Sequence, residues 1–404
     1  MGSAFSFPGG QAKFDRQSRI DRRPHVKIYT GGCLLLQRLY IHNFRCLQNF
    51  EIKPGGNDSL LLIGKNGTGK STLGKALFIF QQLGIGTSRV GSLVTKDDIT
   101  LERTKERMKF ELEALLEGRT FKYGLVLDLP DKFRELRVFE ENCSVDGNTV
   151  FTRQEAQVTY HRTTTQAQIE FNLDWHSVAL PLINETKDNI LLSLRNWLRR
   201  MHILAPVPQL IAGWSESQDG NSEPLTHSCE KFADYLTALL SSHPASYVTI
   251  FNFLKELMPD LEEFTNKPVG DARMIKVRFA GNGAVFEPRF DLLSEGEKCM
   301  FLCAAVLAAQ HMYGSHFVFW DEPDNYLALP EIEHFIRILR QKFRNGSQIW
   351  MTSHNEVTIN CFSHENTFLL RRKNHCDPVE LRPIEELIDS KESTTRKLRL
   401  NGLD

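Results

Sequence analysis

Apolar positions follow one period through the middle of the chain and another toward its ends. Leu34-Leu35-Leu36-Gln37-Arg38-Leu39-Tyr40-Ile41 has the composition of a strand, and Ser59-Leu60-Leu61-Leu62-Ile63 is a short apolar run that stops at glycine. Residues Ser71 to Gln82 repeat at helical spacing, so a buried strand, a glycine-rich turn and a helix follow one another directly. From Met108 the period drops to two. Met108-Lys109-Phe110-Glu111-Leu112-Glu113-Ala114-Leu115 alternates, Phe121 to Leu127 and Leu136 to Glu140 follow, and Gly118 and Pro130-Asp131 punctuate them. This predicts an antiparallel β lobe, set beside whatever the glycine-rich turn holds.

Helical spacing returns from about 185 to 265, with helices expected over Asn189 to Met201, Glu230 to Leu240 and Ser246 to Leu257. A strand over Met274 to Phe279 precedes a last alternating stretch. It reads as helix 295–312, strand 316–320, helix 330–343, strand 347–352 and a closing strand from Phe368 to Arg371. Neither an internal repeat nor a sustained heptad array is present. The pattern predicts an α/β fold interrupted by an antiparallel β lobe and a helical insertion, and Gly64-Lys65-Asn66-Gly67-Thr68-Gly69-Lys70-Ser71, between the apolar strand and the first helix, resembles the loop of the P-loop NTPase fold. The expected segments are 33–175 for the first half of the core with its lobe, 176–275 for the mainly helical insertion and 276–375 for the second half. A flexible basic leader (1–32) and a tail (376–404) flank them.

Composition narrows the function classes. The 404 residues are 41% hydrophobic and 25% charged with a formal net charge of -1, an ordinary globular balance with no global pull toward nucleic acid. No apolar run approaches the roughly 20 residues a membrane helix needs. Phe301 to Ala309 is core-helix length, so no membrane association is expected. The N-terminus lacks the apolar stretch of a secretory signal. None of the eight cysteines forms a CxxC pair, and Cys299 and Cys303 sit one helical turn apart in an apolar helix. Buried reduced thiols and a cytoplasmic location are expected.

Four motifs carry chemistry. Gly64-Lys65-Asn66-Gly67-Thr68-Gly69-Lys70-Ser71 fits G-x-x-x-x-G-K-[ST], with Thr72 just beyond it. Glycines let such a loop wrap with its N–H groups turned inward on phosphate oxygens, Lys70 reaches the β/γ-phosphates, and the Ser71 hydroxyl ligates Mg²⁺. The helix that follows aims the positive end of its dipole at the same anion. His316-Phe317-Val318-Phe319-Trp320-Asp321-Glu322 is an apolar strand ending in an acidic pair, the Walker B pattern. Asp321 would hold Mg²⁺ through water, and Glu322 would polarise an attacking water.

Leu293-Ser294-Glu295-Gly296-Glu297 opens the helix before that strand. It reads both as a capping box of Ser294 with Glu297 and as an anion site at a helix N-terminus. Gln348-Ile349-Trp350-Met351-Thr352-Ser353-His354 is a strand that ends in histidine.

In this order the motifs resemble those of the ABC-type ATPases, over residues about 33 to 375. Leu293, Ser294 and Gly296 match the LSGGQ signature, while Glu295 and Glu297 depart from it. The resemblance implies that Ser294 and Gly296 grip the γ-phosphate of ATP held by a second copy, so that two copies complete each site. It implies a γ-phosphate switch role for His354 and an interface loop at Asp324-Asn325-Tyr326-Leu327. Asn43-Phe44-Arg45 resembles the N-F-R segment of RecF- and SMC-like ATPases, which places Arg45 near the nucleotide. Gln81 and Gln82 come too early for the family's Q-loop glutamine, whose position stays open.

Within the class the chain resembles the RecF/SMC/OLD-like AAA-domain ATPases, many of them components of anti-phage defence systems such as PARIS or Septu. The absence of long heptads separates it from full SMC and RecN proteins. The roughly 50 residues after His354 leave no room for the acidic nuclease module of OLD proteins. The implied function is an ATP- and Mg²⁺-dependent homo-oligomeric ATPase, at least a dimer, that senses phage and controls a separate nuclease or toxin. The alternative is a RecF-like repair ATPase on DNA junctions. For that reading Arg195, Arg199 and Arg200 with Arg371-Arg372-Lys373 are the candidate DNA surface, and a solvated face is the ordinary reading of the same charges.

Overall fold

The computed structural model describes residues 34–161, 168–183, 190–216, 224–314, 316–344 and 346–387. The chain opens with β1 (Leu34–His42), β2 (Phe50–Ile52) and β3 (Ser59–Ile63), then α1 (Lys70–Ile85) and the single turn α2 (Val90–Leu93). Strands β4 (Met108–Leu116), β5 (Arg119–Asp128), β6 (Arg137–Val145), β7 (Asn148–Gln154), β8 (Gln157–His161) and β9 (Gln168–Asn172) form the expected lobe. Next come α3 (Ile190–Arg199), β10 (His202–Leu204), β11 (Trp214–Ser215), α4 (Phe232–Ser242), α5 (Ser246–Leu257), β12 (Leu261–Val269), β13 (Ala272–Gly281) and β14 (Ala284–Phe286). The last part holds α6 (Glu295–Tyr313), β15 (Phe317–Trp320), α7 (Leu329–Lys342), β16 (Gln348–Ser353), α8 (Glu356–Asn360), β17 (Thr367–Arg371) and β18 (Glu380–Pro383).

The core sheet runs β10-β15-β16-β3-β17-β18, parallel throughout except for the β17–β18 hairpin. Strands β3, β10, β15 and β16 are buried at every position because both faces are covered, and their few polar residues (Ser59, His202, Gln348, Thr352 and Ser353) lie inside with the rest. Leu60 and Leu62 of β3, Phe317 and Phe319 of β15 and Trp350 of β16 enter one hydrophobic cluster, shared with α1, α3 and the lobe. Leu61, Ile63, Val318, Trp320, Ile349 and Met351 point the other way, into a second cluster with α4, α5, α6 and α7. One-residue alternation along each strand thus joins two cores through one sheet.

Three placements differ from the sequence expectation. β1 pairs antiparallel with β2 and β4, in an eight-stranded sheet ordered β2-β1-β4-β5-β6-β7-β8-β9, so it belongs to the lobe. The segment expected to be helical contributes β10 to the core sheet and β12 to a hairpin with β13, with β11 and β14 flanking. β18 lies in the segment expected as tail. The leader, residues 1–32, lies outside the described residues. Cys299 and Cys303 are buried, as expected; burial pushes the Cys299 thiol to about 12 and raises Cys303 well above its ordinary value. Among the described residues, no helix is long and apolar enough to cross a membrane.

Candidate functional site

Parallel strands deliver their C-terminal ends to one edge of the sheet, and three of the four motifs lie there. The Gly64–Ser71 loop leaves β3, Asp321 and Glu322 leave β15, and His354 leaves β16, the strand between them. Registers Phe319↔Trp350 and Trp350↔Leu60 hold the three ends level.

The loop needs glycine in two ways. Gly67 and Gly69 sit at φ 80° and 99°, in the left-handed region that side chains avoid. A Cβ on Gly64 would stand 2.5 Å from the Leu370 carbonyl oxygen and 2.7 Å from Thr68 Oγ1. Thr68 Oγ1 donates to the Lys65 carbonyl at 2.8 Å and fixes the wrap. Lys65, Asn66 and Gly67 are exposed at the crown, and Gly69 and Lys70 are buried behind it. Further along α1, a Cβ on Gly74 would stand 2.6 Å from the Phe319 ring, so this glycine lets the helix pack onto β15.

Lys70 Nζ donates to the Gly64 carbonyl at 2.7 Å and lies 3.9 Å from Glu322 Oε1. Burial lowers its pKa, while the carboxylates of Glu322 and Asp321 work in the opposite direction. Glu322 sits at φ 49°, a left-handed conformation a glutamate does not choose, and its neighbours hold it there. Its N–H donates to Thr352 Oγ1 at 2.9 Å, Asn325 Nδ2 donates to its Oε2 at 2.6 Å, and His354 Nδ1 lies 3.2 Å from its Oε1. Thr352 Oγ1 in turn donates to Asp321 Oδ1, and the Asp321 N–H donates to Leu204 O at 2.7 Å. One hydroxyl thus sets both acidic residues. Thr352 lies inside the His354 motif, and its role appears only with the Trp320↔Met351 pairing, which sets it beside the end of β15.

The residues present fit a phosphate chain with Mg²⁺. α1 starts at Gly69 with no side-chain cap and no acidic residue in its first turn, which leaves its leading N–H groups to a ligand. Ser71 is exposed and Thr72 half-buried beside them, and the hydroxyl of Ser71 with the carboxylate of Asp321 is a hard-oxygen set. Among the described residues no group of three or more His, Cys, Asp or Glu is placed to hold a metal ion.

Ser294 caps α6, its Oγ accepting from Glu297 N at 3.2 Å while Glu297 Oε2 accepts from Ser294 N at 2.7 Å. The capping box is therefore present, and Ser294 stays exposed at the helix start. A Cβ on Gly296 would meet the Tyr326 carbonyl at 2.8 Å, so glycine is required where the 324–327 loop crosses the signature. Asp324 of that loop is buried and accepts from Ser353 Oγ and Thr358 Oγ1. After β10, Gln209 Nε2 donates to Glu295 Oε1 and Lys298 Nζ donates to Pro208 O at 3.2 Å, tying this loop to the signature helix. Gln81 is buried, its Nε2 donating to Met201 O at 2.6 Å.

Arg45 is held by Asp98 instead of reaching into the loop: its N–H donates to Asp98 O at 2.6 Å and its Nε to Asp98 Oδ1 at 2.7 Å. Its neighbour Cys46 does touch the site, with Sγ 3.6 Å from Thr72 Oγ1. Three of the suggested cationic residues are engaged locally. Arg195 donates to Pro181 O, Arg200 lies over the Tyr313 ring, and Arg372 binds the carbonyls of His375 and Asp377.

The family model described as "AAA domain, putative AbiEii toxin, Type IV TA system" matches residues 59–360. Among curated proteins none matches the chain. The SmcHead bound to the C-winged helix domain of ScpA superposes with a TM-score of 0.52 at 13% identity, covering 87% of this chain and 98% of that one. The Smc head domain with an extended coiled coil, bound to the C-terminal domain of ScpA derived from Pyrococcus furiosus, gives 0.52 at 11% identity, with 88% and 98% covered. The fold is that of an ABC/SMC-type ATPase head.

Proposed function

The chain belongs to that AAA-domain family, and on this premise we propose that it binds and hydrolyses ATP between two copies and uses the cycle to control a separate effector protein. One observation carries the ATPase reading: Glu322, just after β15, lies 3.9 Å from Lys70 at the start of α1 and 3.2 Å from His354 just after β16, three residues far apart in sequence brought to one sheet edge. No packing need requires a buried lysine, a strained glutamate and a histidine to converge there.

The roles follow from position. The loop from Gly64 to Gly69, with the leading N–H groups of Lys70, Ser71 and Thr72, binds the phosphates. Lys70 exchanges the Gly64 carbonyl for a phosphate oxygen, whose negative charge offsets the burial that disfavours the ammonium. Glu322, held by Thr352, Asn325 and His354, orients the attacking water and accepts its proton. When bound, Mg²⁺ supplies charge neutralisation at the transferred phosphoryl group, held by Ser71 and Asp321. His354 lies on Glu322 and is placed to respond when the γ-phosphate leaves. Ser294, exposed at the start of α6, and the half-buried Gly296 close the site of a second copy, and Tyr326 against Gly296 links that face to Glu322 through Asn325.

Control of a separate effector is supported by two features of the relatives. The family description names a toxin system, and both SMC heads that share this fold are bound to ScpA in their structures. Anti-phage defence is the setting in which such a switch would act, in the cytoplasm.

Steady-state ATP hydrolysis with and without duplex DNA tests the reading. Wild type should turn over ATP without DNA stimulation, and Lys70→Ala should lose about 100-fold or more. A Lys70→Ala rate equal to wild type would remove the site assignment; strong stimulation by DNA would transfer the chain to junction repair.

A further inference from the structure

The β17–β18 hairpin borders the phosphate loop along three of its glycines. Leu370 O lies 2.5 Å from the place of a Cβ on Gly64, Val379 Cγ2 lies 3.3 Å from that place on Gly69, and His375 Nε2 lies 3.6 Å from it on Gly67. The Val379 N–H also donates to Cys46 O at 3.4 Å, so the returning strand is pinned beside the loop.

The turn between the strands is braced from within. Arg372 donates to the carbonyls of His375 and Asp377, Asn374 Nδ2 donates to Asp377 Oδ2 at 2.6 Å, and Cys376 N donates to Asn374 Oδ1 at 2.8 Å. A turn this constrained holds its side chains in place, and the one it sets against the loop is an exposed imidazole. Gly67 is exposed as well, so the space the two residues share is open to a ligand held by the loop. Burial does not explain the histidine, and its ring nitrogen is a donor suited to an anionic oxygen.

We infer that His375 is a nucleotide-positioning residue: its imidazole, carried by the β17–β18 turn, donates a hydrogen bond to the phosphate chain of ATP bound in the same copy. The inference rests on the ATP site proposed above and adds a contact from outside the motifs that define it. It also gives the hairpin a task, since a contact from its tip couples the edge of the core sheet to nucleotide occupancy.

The test is Mg²⁺–ATP steady-state kinetics and nucleotide-free thermal unfolding of wild type, His375→Ala and His375→Gln. The expected result is a KM about tenfold higher in His375→Ala, as for one charge-assisted bond at an exposed site, with kcat within about twofold. Glutamine supplies an amide donor and should recover most of the KM, and the unfolding midpoints of all three should coincide. An unchanged KM, a kcat loss without a KM change, glutamine as poor as alanine, or a lower midpoint in His375→Ala would each overturn it. If wild type itself neither binds nor hydrolyses ATP, the site reading falls and this inference with it; normal wild-type kinetics with an unaffected alanine variant would sink this inference alone.

Discussion

Arg153→Met should unfold far more easily than the parent, by an amount that grows with pH. Arg153 and Glu141 have fully buried side chains 3.8 Å apart on neighbouring strands of the lobe. Arg153 Nε donates to Glu155 O at 2.6 Å, NH2 to Asp174 O at 2.8 Å, and NH1 to Ser177 O. Glu141 accepts from Ala179 N at 2.7 Å, Leu180 N at 2.8 Å and Tyr123 OH at 3.0 Å. Together they bind segment 174–180 to β6 and β7. That segment pairs with the stretch just after α1, through Val178 N to Ser88 O at 2.8 Å. The network therefore supports the far end of the helix that starts at the phosphate loop.

Methionine keeps the stem and removes the charge, leaving a buried carboxylate without its counter-ion and three carbonyls without their donor. Breaking one side of such a pair costs about 3–5 kcal/mol. Burial raises the Glu141 pKa, with the Ala179 and Leu180 N–H groups and Arg153 opposing it. For a raised carboxyl, the stability held by the protonated form is complete below the unfolded value of about 4.3 and is lost as pH rises through the folded value. Removing Arg153 raises the folded value further, so the deficit must widen from mildly acidic to neutral pH. Denaturant unfolding followed by circular dichroism, at about pH 5 and about pH 7.5, measures both quantities. A deficit under about 1 kcal/mol, or one that is equal at the two pH values, would refute the argument.

Two further predictions test the assembly and the core. Lys70→Ala and Ser294→Ala should each abolish turnover alone, yet mixing them should restore roughly a quarter of the parental rate, because half the dimers then carry one intact composite site; no recovery on mixing, with exchange of copies verified by mass, would argue for a site within one copy. His202 is buried against Tyr235 OH at 3.0 Å, and burial lowers its pKa from 6.5 to about 4. A lowered histidine holds its stability above the unfolded value and loses it as pH falls through the folded one, so unfolding should become easier between about pH 6.5 and about pH 4. His202→Phe should flatten that slope, and an unchanged slope in denaturant titrations would assign it to other groups.

What was legible in the sequence was whatever chemistry or period forces on it. The phosphate loop admits few residue types at fixed spacing, and the lobe alternates because one face of each strand is buried. Both were readable, as was the order of strands and helices from 295 to 371. Pairing partners were not. β1 has the composition of a core strand, and nothing in Leu34 to Ile41 says that it pairs with β4 instead of joining β3. β10 is three residues long, too short for a period, yet Leu204 O receives the Asp321 N–H and helps set the acidic pair. β12 contains Pro268 and several charges and reads as no strand, because it lies at the edge of a small sheet. Arg45 looked free to reach nucleotide because its partner Asp98 lies in a segment without any motif. Thr352 was in view, but its double contact with Asp321 and Glu322 exists only once β15 and β16 are side by side.

The central claim, a nucleotide site completed by two copies and fired by Glu322, is tested most directly by measuring ATP hydrolysis and mass in solution for wild type and Glu322→Gln with Mg²⁺–ATP. The amide keeps the shape of the side chain and one of its acceptor oxygens but cannot accept the proton. The account predicts that Glu322→Gln binds ATP, does not turn it over and accumulates as a dimer that wild type forms only transiently. A variant that hydrolyses ATP at the parental rate, or that stays monomeric with ATP bound, would contradict it.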